Sequence, residues 1–352
     1  MKKQSSPSII ALVTTLLLVL VSNLPVEGAR KTKRAVGSNG ITKLFVFGDS
    51  YVDTGNFVHS PSFKPPYGMT FPGYPSGRFS DGHVLTDLIA EYLGIDSPIP
   101  SAARNLTNIQ NGINFAHGGT GVFDTNIDGP NLTAQIDNFE QLIQQNLFTK
   151  RDLEVAYVLV NAGANDYTTH IKTNGIFDIP TFTSTLVNKL GDDLRRFASL
   201  GIGRVAVSLL QPVGCLPLIT NIDFHLGCIG LLNRVSKNHN KLLNDVIQEL
   251  NHERQWGQTF VPLNLYAGFI STIDMMMKKA HNENSSSTNA IENALKACCV
   301  TSIGHDCGDV NHYAVCDHPD VYFFWDDVHP SQAGWNAIFS LLKPAMVQLT
   351  QQ

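Results

Sequence analysis

The chain has 352 residues, of which 43% are hydrophobic and only 16% are charged. It is therefore long enough to bury a large core, in one domain or two. The formal net charge is −5, and the body of the sequence contains no basic region. This pattern argues against a nucleic-acid partner, and we expect none.

The N-terminal segment has the layout of a secretory signal peptide. Lys2 and Lys3 precede an apolar run from Ile9 to Val21, and Gly28 offers a small residue at a cleavage point. A retained membrane anchor is the alternative, but this run is short for crossing a bilayer. We therefore expect export without a stable membrane anchor. The expected segments are a signal peptide over residues 1–28, a basic, flexible tail over 29–40 and a single domain over 41–352.

Short apolar, β-rich runs alternate with segments of helical periodicity along the rest of the chain. The predicted strands are Leu44–Phe47, Ile113–Ala116, Val155–Val160, Val205–Leu210 and Phe260–Leu265. The predicted helices are 131–148, 182–201 with a stop at Gly201, Leu231–Leu250, and Ser331–Val347 interrupted by Pro344. The predicted long loops are Pro61–Phe79 and Asn282–Asn289. The alternation indicates an α/β domain with a mostly parallel sheet that helices cover on both faces.

Polar residues cluster where the predicted strands end, which is where open α/β sheets gather their ligands. Asp49 and Ser50 follow the first strand, a position that suits either a helix N-cap or an exposed nucleophile. The glycine-rich segment 117–121 follows the second strand, and it either forms a flexible turn or presents backbone N–H groups to a ligand. It lacks the lysine that a phosphate-binding loop requires.

Two more segments at strand ends or turns carry polar residues. Asn165 either donates its side-chain N–H to a developing oxyanion or forms an ordinary Asx-turn. Asp326 and His329 are three residues apart, so the carboxylate can hold Nδ1 and leave Nε2 free to take a proton, although such a pair is often structural. With Ser50, these residues supply the nucleophile, base, orienting acid and oxyanion donors that acyl transfer needs. No Gly-x-Ser-x-Gly elbow surrounds Ser50, which excludes the α/β-hydrolase route to this chemistry.

The six cysteines are an even number, which suggests disulfides in an exported chain. They are Cys215, Cys228, Cys298, Cys299, Cys307 and Cys316. A zinc site is the alternative for the last four with His305, His312 and His318, but no Cys-x-x-Cys pair occurs, and we expect disulfides and no metal. The glycan acceptors, if exposed, are Asn105, Asn131 and Asn284.

Four sequence blocks resemble those of plant GDSL esterases/lipases, which belong to the SGNH hydrolase superfamily. They are FVFGDSYVDTGN, NFAHGGTG, NAGANDY and WDDVHP, in the family's order and at its spacings, between residues 45 and 330. Their combination is specific and covers nearly the whole expected mature chain. The resemblance implies the SGNH hydrolase fold, a flavodoxin-like three-layer α/β/α sandwich, which agrees with the predicted alternation of strands and helices.

Carried over position by position, the resemblance implies a role for each matching residue. Ser50 would be the nucleophile, His329 the general base and Asp326 its partner. The oxyanion hole would use the Ser50 N–H, the N–H of a glycine in the second block, and the Asn165 side chain. We assign the glycine to Gly118 in preference to its neighbour.

The resemblance also implies a disulfide arrangement and exposes one departure from the family. Together with local spacing, it suggests the pairs Cys215–Cys228, Cys298–Cys307 and Cys299–Cys316. His117 stands where many plant members have a small serine. If it lines the site it would alter substrate fit, and we infer no catalytic role for it.

The leading interpretation is a secreted serine esterase/lipase of the cell wall or apoplast that hydrolyses carboxylic esters through an acyl-enzyme on Ser50. It needs no cofactor, and its partner is a small-molecule or lipid-like ester. An acyltransferase would use the same site with an alcohol in place of water. A non-catalytic binding protein would keep the fold without turnover.

Overall fold

The computed structural model describes residues 43–103, 109–253, 259–282, 294–302, 307–309 and 312–351, without the side chains of 279–282. All of these residues belong to one compact unit that spans residues 36–352. The expected signal peptide, the basic tail and the glycan candidates Asn105 and Asn284 lie outside the described residues. In the described part of the chain, no helix combines the length and the apolar character needed to cross a membrane.

The central sheet has six parallel strands. They are β1 (Leu44–Gly48), β2 (Ile99–Pro100), β3 (Ile113–Asn114), β4 (Tyr157–Asn161), β5 (Arg204–Ser208) and β6 (Thr259–Leu263). Their order across the sheet is β2-β3-β1-β4-β5-β6. Strand β1 pairs with β3 on one side and with β4 on the other, so the strand order reverses there. A crevice opens beyond the carboxyl ends of the strands at such a switch point, and Ser50 follows β1 directly.

Helices cover both faces of this sheet. They are α1 (Leu85–Leu93), α2 (Leu132–Gln144), α3 (Lys150–Val155), α4 (Ala164–Asn174), α5 (Ile179–Ser199), α6 (Pro217–Thr220), α7 (Gly230–Glu253), α8 (Leu265–Asn282) and α9 (Gln332–Thr350). Short 3₁₀ turns lie at Pro61–Phe63, Ser101–Ala103, Val213–Cys215, Asn221–Asp223 and Pro319–Val321. A small antiparallel pair outside the main sheet joins β7 (Cys299–Thr301) to β8 (Tyr313–Val315).

Alternation along the strands separates two hydrophobic cores. In β1, Phe45 and Phe47 pack with the buried residues of α2, α5 and α7. The intervening residues, Leu44 and Val46, pack with those of α1, α8 and α9. Successive side chains of a strand point to opposite faces, so one apolar run serves both cores. The result is the three-layer α/β/α sandwich that the resemblance implied.

Two helices, α4 and α9, differ from the sequence predictions. Helix α4 was not predicted, because its exposed surface is rich in threonine and asparagine rather than apolar residues. Helix α9 continues through Pro344 to Thr350. Pro344 and Ser340, whose carbonyl the proline leaves without an intrahelical donor, are both exposed. Water can therefore satisfy the freed carbonyl, and the helix does not have to end.

All six cysteines form disulfides, and one predicted pairing is wrong. The structure contains Cys215–Cys228 as predicted, but it joins Cys298 to Cys316 and Cys299 to Cys307. The register of β7 and β8 explains why Cys298 and Cys299 have each other's predicted partners. Cys299 lies opposite Val315 in this antiparallel pair, which sets Cys298 opposite Cys316. Cys299 points to the other face, where it reaches Cys307. Since no thiol is left over, the zinc alternative loses its cysteine ligands.

Candidate active site

Strand β1 ends in a tight turn that brings Ser50 to the carboxyl edge of the sheet. Gly48 has a φ of +131°, and a Cβ atom at this position would clash with the carbonyl oxygen of Asn161. Asp49 donates its N–H to that same oxygen at 3.0 Å. The Asp49 carboxylate accepts the N–H of Tyr51 at 3.1 Å and the side-chain amide of Asn161 at 2.8 Å. Contacts on both sides of Ser50 therefore fix the turn.

Ser50, His329 and Asp326 form a continuous hydrogen-bonded chain. Ser50 Oγ lies 2.8 Å from His329 Nε2, and His329 Nδ1 lies 2.8 Å from each carboxylate oxygen of Asp326. The backbone N–H groups of Val328 and His329 donate to Asp326 Oδ1 at 2.9 and 2.8 Å. The turn itself thus holds the carboxylate against the imidazole. This geometry suits a nucleophile, its base and an acid that orients the base.

The environment of Asp326 keeps its carboxyl ionised. Burial alone would raise the pKa, but the facing His329 and the donors Val328 and Tyr67 hold the pKa of Asp326 below its ordinary value. A carboxylate beside Nδ1 stabilises the tautomer that carries its proton there. Nε2 is then left as the acceptor for the hydroxyl proton of Ser50.

Two further buried carboxyls interact electrostatically with this site. Burial raises the pKa of Asp49 to about 7, against the lowering effects of the Tyr51 N–H, the Asn161 amide and the charge of His329. Burial likewise raises the pKa of Asp166 to about 6, against backbone N–H donors. The negative charge of Asp166 adds to the increase at Asp49. Folding therefore favours the neutral form of both groups at mildly acidic pH.

The glycine donor predicted for the oxyanion hole needs correction. The N–H of Gly118 donates to the buried Asp53 carboxylate at 2.9 Å, so it is not available to a substrate. Gly119 lies next along the chain with a φ of +79°, and it lines the cavity beside Ser50. Within the described residues, the N–H groups of Gly119 and Ser50 have no hydrogen-bond partner.

Asn165 lies in the same cavity, near the start of α4. Its side-chain amide donates one hydrogen to the carbonyl oxygen of Thr120 at 3.0 Å. This bond fixes the orientation of the amide and leaves its second hydrogen for a ligand. Three donors, from Ser50, Gly119 and Asn165, therefore line one cavity, which is the arrangement an oxyanion requires.

The cavity has a volume of about 390 Å³ and two chemically different walls. One wall is apolar and is formed by Phe57, Pro61, Tyr67, Phe79 and Ile127. The other is one face of α4, with Asn165, Thr168, Thr169 and Lys172 at positions i, i+3, i+4 and i+7. Such a site suits a molecule with one apolar part and one part that accepts and donates hydrogen bonds.

Sequence reasoning missed two buried residues that support the site. Gln135 accepts the N–H of Gly48 at 2.7 Å and donates to the Gly48 carbonyl at 2.9 Å, which fixes the end of β1. Its position was a usable signal, because a glutamine lies on the apolar face of α2 between Leu132 and Phe139. The other is Tyr67, whose hydroxyl donates to Asp326 Oδ2 at 2.7 Å. Nothing in its loop indicated that contact.

Two other residues named from the sequence have their places in the structure. His117 does not line the cavity, but its ring stacks on Phe57, which does, at 4.7 Å between centroids. It can therefore influence substrate fit through Phe57. Asn131 caps helix α2, where its side chain accepts the Ala134 N–H and donates to Asp124. Glycosylation at Asn131 stays a prediction.

Comparison with known proteins assigns the family. The model of the GDSL-like lipase/acylhydrolase family matches residues 44–342. GDSL esterase/lipase At5g03610 of Arabidopsis thaliana is 41% identical over 318 residues, which is 87% of each chain. GDSL esterase/lipase At3g09930 of the same plant is 39% identical over 314 residues, covering 85% of this chain and 87% of the relative.

Among solved structures, the chain is similar to Axe2, an acetylxylan esterase from Geobacillus stearothermophilus. The identity is 14%, the match covers 90% of this chain and 97% of that one, and the TM-score is 0.40. The assignment rests on the family model and the Arabidopsis relatives. The chain belongs to the GDSL-like lipase/acylhydrolase family, among the plant GDSL esterases/lipases, a family of serine ester hydrolases.

Proposed function

We propose that this chain is a secreted esterase that hydrolyses carboxylic esters through an acyl-enzyme on Ser50. The observation that carries the proposal is the hydrogen-bonded chain from Ser50 Oγ through His329 to Asp326, with each bond 2.8 Å long. Ser50 and His329 line a cavity that also contains free N–H donors. The family to which the protein belongs is described as one of lipases and acylhydrolases. A non-catalytic binding protein would have no need of a complete nucleophile, base and acid.

The first half-reaction transfers the acyl group to Ser50. His329 Nε2 removes the hydroxyl proton as Ser50 Oγ attacks the ester carbonyl carbon. The carbonyl π electrons move to the oxygen, which becomes the oxyanion. Collapse of this tetrahedral intermediate breaks the bond to the alcohol, and His329 gives its proton to the leaving oxygen.

The second half-reaction releases the acid. A water molecule occupies the position of the departed alcohol and loses a proton to His329 Nε2 as it attacks the acyl-enzyme. The second intermediate collapses, the bond to Ser50 Oγ breaks, and His329 returns the proton to the serine. An alcohol in place of water would give acyl transfer, and measurement of the free acid distinguishes the two products.

Ser50, Gly119 and Asn165 provide the oxyanion donors in this proposal. Because negative charge on the oxygen exists only in the transition state and the intermediates, these donors should act on kcat more than on KM. We expect Asn165→Ala to lower kcat by about 10²–10³ with a small change in KM. A variant that altered KM alone would contradict this role and would place Asn165 in substrate binding.

The proposed export agrees with the three disulfides, which are typical of proteins that fold in an oxidising compartment. The substrate class follows from the cavity: an ester with an apolar side for the aromatic wall and a hydroxylated or polar side for α4.

The test is the rate of acid release from a short-chain aryl ester by the purified protein and by Ser50→Ala. We expect turnover in the wild type and its loss in the variant, with both proteins folded by circular dichroism. Equal rates would overturn the proposal.

A further inference from the structure

Tyr67 comes from the long loop between β1 and α1, far along the chain from Asp326. The residue is 4% exposed, so it belongs to the core although its loop has little regular structure. It makes edge contacts with Trp325, at 6.0 Å between centroids, and with Phe79, at 6.3 Å. The backbone is fixed on both sides, because the Tyr67 N–H donates to Lys64 and the next N–H donates to Ser80. The ring is therefore held in one place.

The hydroxyl of Tyr67 completes the surroundings of the Asp326 carboxylate. Oδ1 already accepts the N–H groups of Val328 and His329, and His329 Nδ1 lies within reach of both oxygens. Apart from Nδ1, Tyr67 is the donor to Oδ2 among the described residues, at 2.7 Å. Without this hydroxyl, Oδ2 would be buried with one donor fewer, and rotation of the carboxylate would be less restricted.

We propose that Tyr67 is a positioning residue that acts through Asp326: its hydroxyl fixes the plane of the carboxylate, and thereby the orientation of the His329 ring toward Ser50. A hydrogen bond from a neutral hydroxyl to a charged carboxylate is among the stronger ones in proteins, and it is stronger still when buried. This inference rests on the proposed function, because it assigns Tyr67 a part in the same site.

The first test is Tyr67→Phe, which removes the hydroxyl and keeps the ring that packs against Trp325 and Phe79. We expect kcat to fall on the order of 10-fold with KM little changed, since the lost contact orders the base rather than the substrate. The acidic limb of the pH–rate profile should move to higher pH. The Tyr67 hydroxyl is one of the donors that hold the pKa of Asp326 below its ordinary value, so its loss should raise that pKa.

Tyr313→Phe is the matched control. Tyr313 packs in the same cluster, and its hydroxyl donates to the Pro65 carbonyl rather than to the triad. The same change of tyrosine to phenylalanine should leave kcat and the pH profile close to those of the wild type. Equal losses in the two variants would reduce Tyr67 to a structural residue and overturn the inference.

A double-mutant cycle with Asp326→Asn decides whether Tyr67 acts through the acid. If it does, Tyr67→Phe should cost little once Asp326 has been replaced. If instead the hydroxyl contacts substrate, the two losses should multiply, and the inference fails. The proposed function is tested separately. Activity that survives Ser50→Ala refutes that function, whereas Ser50-dependent activity that Tyr67→Phe leaves unchanged refutes the role of Tyr67 alone.

Discussion

The two halves of the candidate site come from regions that are stabilised in different ways. Ser50 follows the end of β1, a strand with parallel neighbours on both sides and large cores on both faces. Asp326 and His329 lie outside that sheet. The segment before them pairs with residues around Cys298 and Cys299, whose N–H groups donate to Phe324 and Trp325 at 3.1 and 2.7 Å.

The second region is a small satellite core. Its buried members are Tyr67, Cys298, Cys299, Cys307 and Trp325. Two disulfides cross-link it, and one of them, Cys299–Cys307, also lines the active-site cavity. A small core buries too little apolar surface to hold its shape alone, which is why small units often rely on covalent bridges. Local changes should therefore disturb the acid and base more readily than they disturb the nucleophile.

The largest expected losses of kcat are at Ser50 and His329, where the two regions meet. Ser50→Ala and His329→Ala should each lower kcat by about 10⁴–10⁶, because nucleophile and base act as a unit. Steady-state rates on one aryl ester measure the losses, and circular dichroism checks the fold. The double variant should be no worse than the poorer single one. Additive losses would show that the two residues do not share a step.

The next largest expected loss of kcat distinguishes the two adjacent carboxylates, Asp326 and Asp327. Asp326→Asn should lower kcat by about 10³–10⁴, because an amide no longer stabilises the required tautomer of His329. Asp327→Asn is the matched control, since the Asp327 side chain makes no hydrogen bond to His329 in the described structure. It should change kcat by no more than a few-fold. A larger loss at Asp327 than at Asp326 would mean that the wrong acid has been assigned.

Removal of one disulfide from each region compares the two regions directly. Cys299→Ser with Cys307→Ser should lower kcat about 10-fold, because Cys299 donates its N–H to Trp325, the residue that precedes Asp326. The control, Cys215→Ser with Cys228→Ser, removes a bridge outside the satellite core. Either loss should cost about 2–4 kcal/mol of stability. Assays well below both melting temperatures measure kcat, and equal kcat losses would contradict a special role for the satellite bridge.

The smallest effect on activity is expected at Asp49, where the readout is the pH dependence of stability. Its pKa is raised to about 7 when folded, against an ordinary value of 3.8. The folded chain therefore holds a proton that the unfolded chain has lost, so this group costs stability as pH rises from about 4 to 7. Asp49→Asn keeps the acceptor for Tyr51 and Asn161 and removes the titration.

Relative to that variant, the wild type should lose stability by up to about 1.4 kcal/mol per pH unit across this window. Urea unfolding of both proteins at pH 5 and 8 measures the difference. Asp166 and His329 interact with Asp49 and are present in both proteins, so only the difference between the two proteins reports on Asp49. If the free energy of unfolding changed equally in both proteins between pH 5 and 8, a raised pKa at Asp49 would be contradicted.

The sequence predicted those parts of the fold and site that depend on local patterns. Apolar runs marked the central strands, and the Asp-x-x-His spacing brought Asp326 to His329 because the contact closes within a single turn. Contacts between distant segments could not be derived in this way. The choice between Gly118 and Gly119 depends on Asp53, the pairing of Cys298 depends on the register of β7 and β8, and Tyr67 reaches Asp326 across most of the chain.

Helix α4 illustrates a different limit. Its cavity-facing positions, Asn165, Thr168, Thr169 and Lys172, are polar because they line a cavity rather than the core. A search for apolar periodicity cannot find such a helix. Gln135 is the converse: a polar residue on an apolar helix face was a usable signal of a buried hydrogen-bonding role, but it was missed.

The central claim is that Ser50 is a nucleophile activated by His329, and covalent labelling tests it most directly. The purified protein is treated with a fluorophosphonate probe, digested and analysed by mass spectrometry. The account predicts one probe per chain, attached to Ser50, with labelling abolished in Ser50→Ala and slowed in His329→Ala. Failure of the folded wild type to react, or attachment of the probe to another residue with Ser50 unmodified, would contradict it.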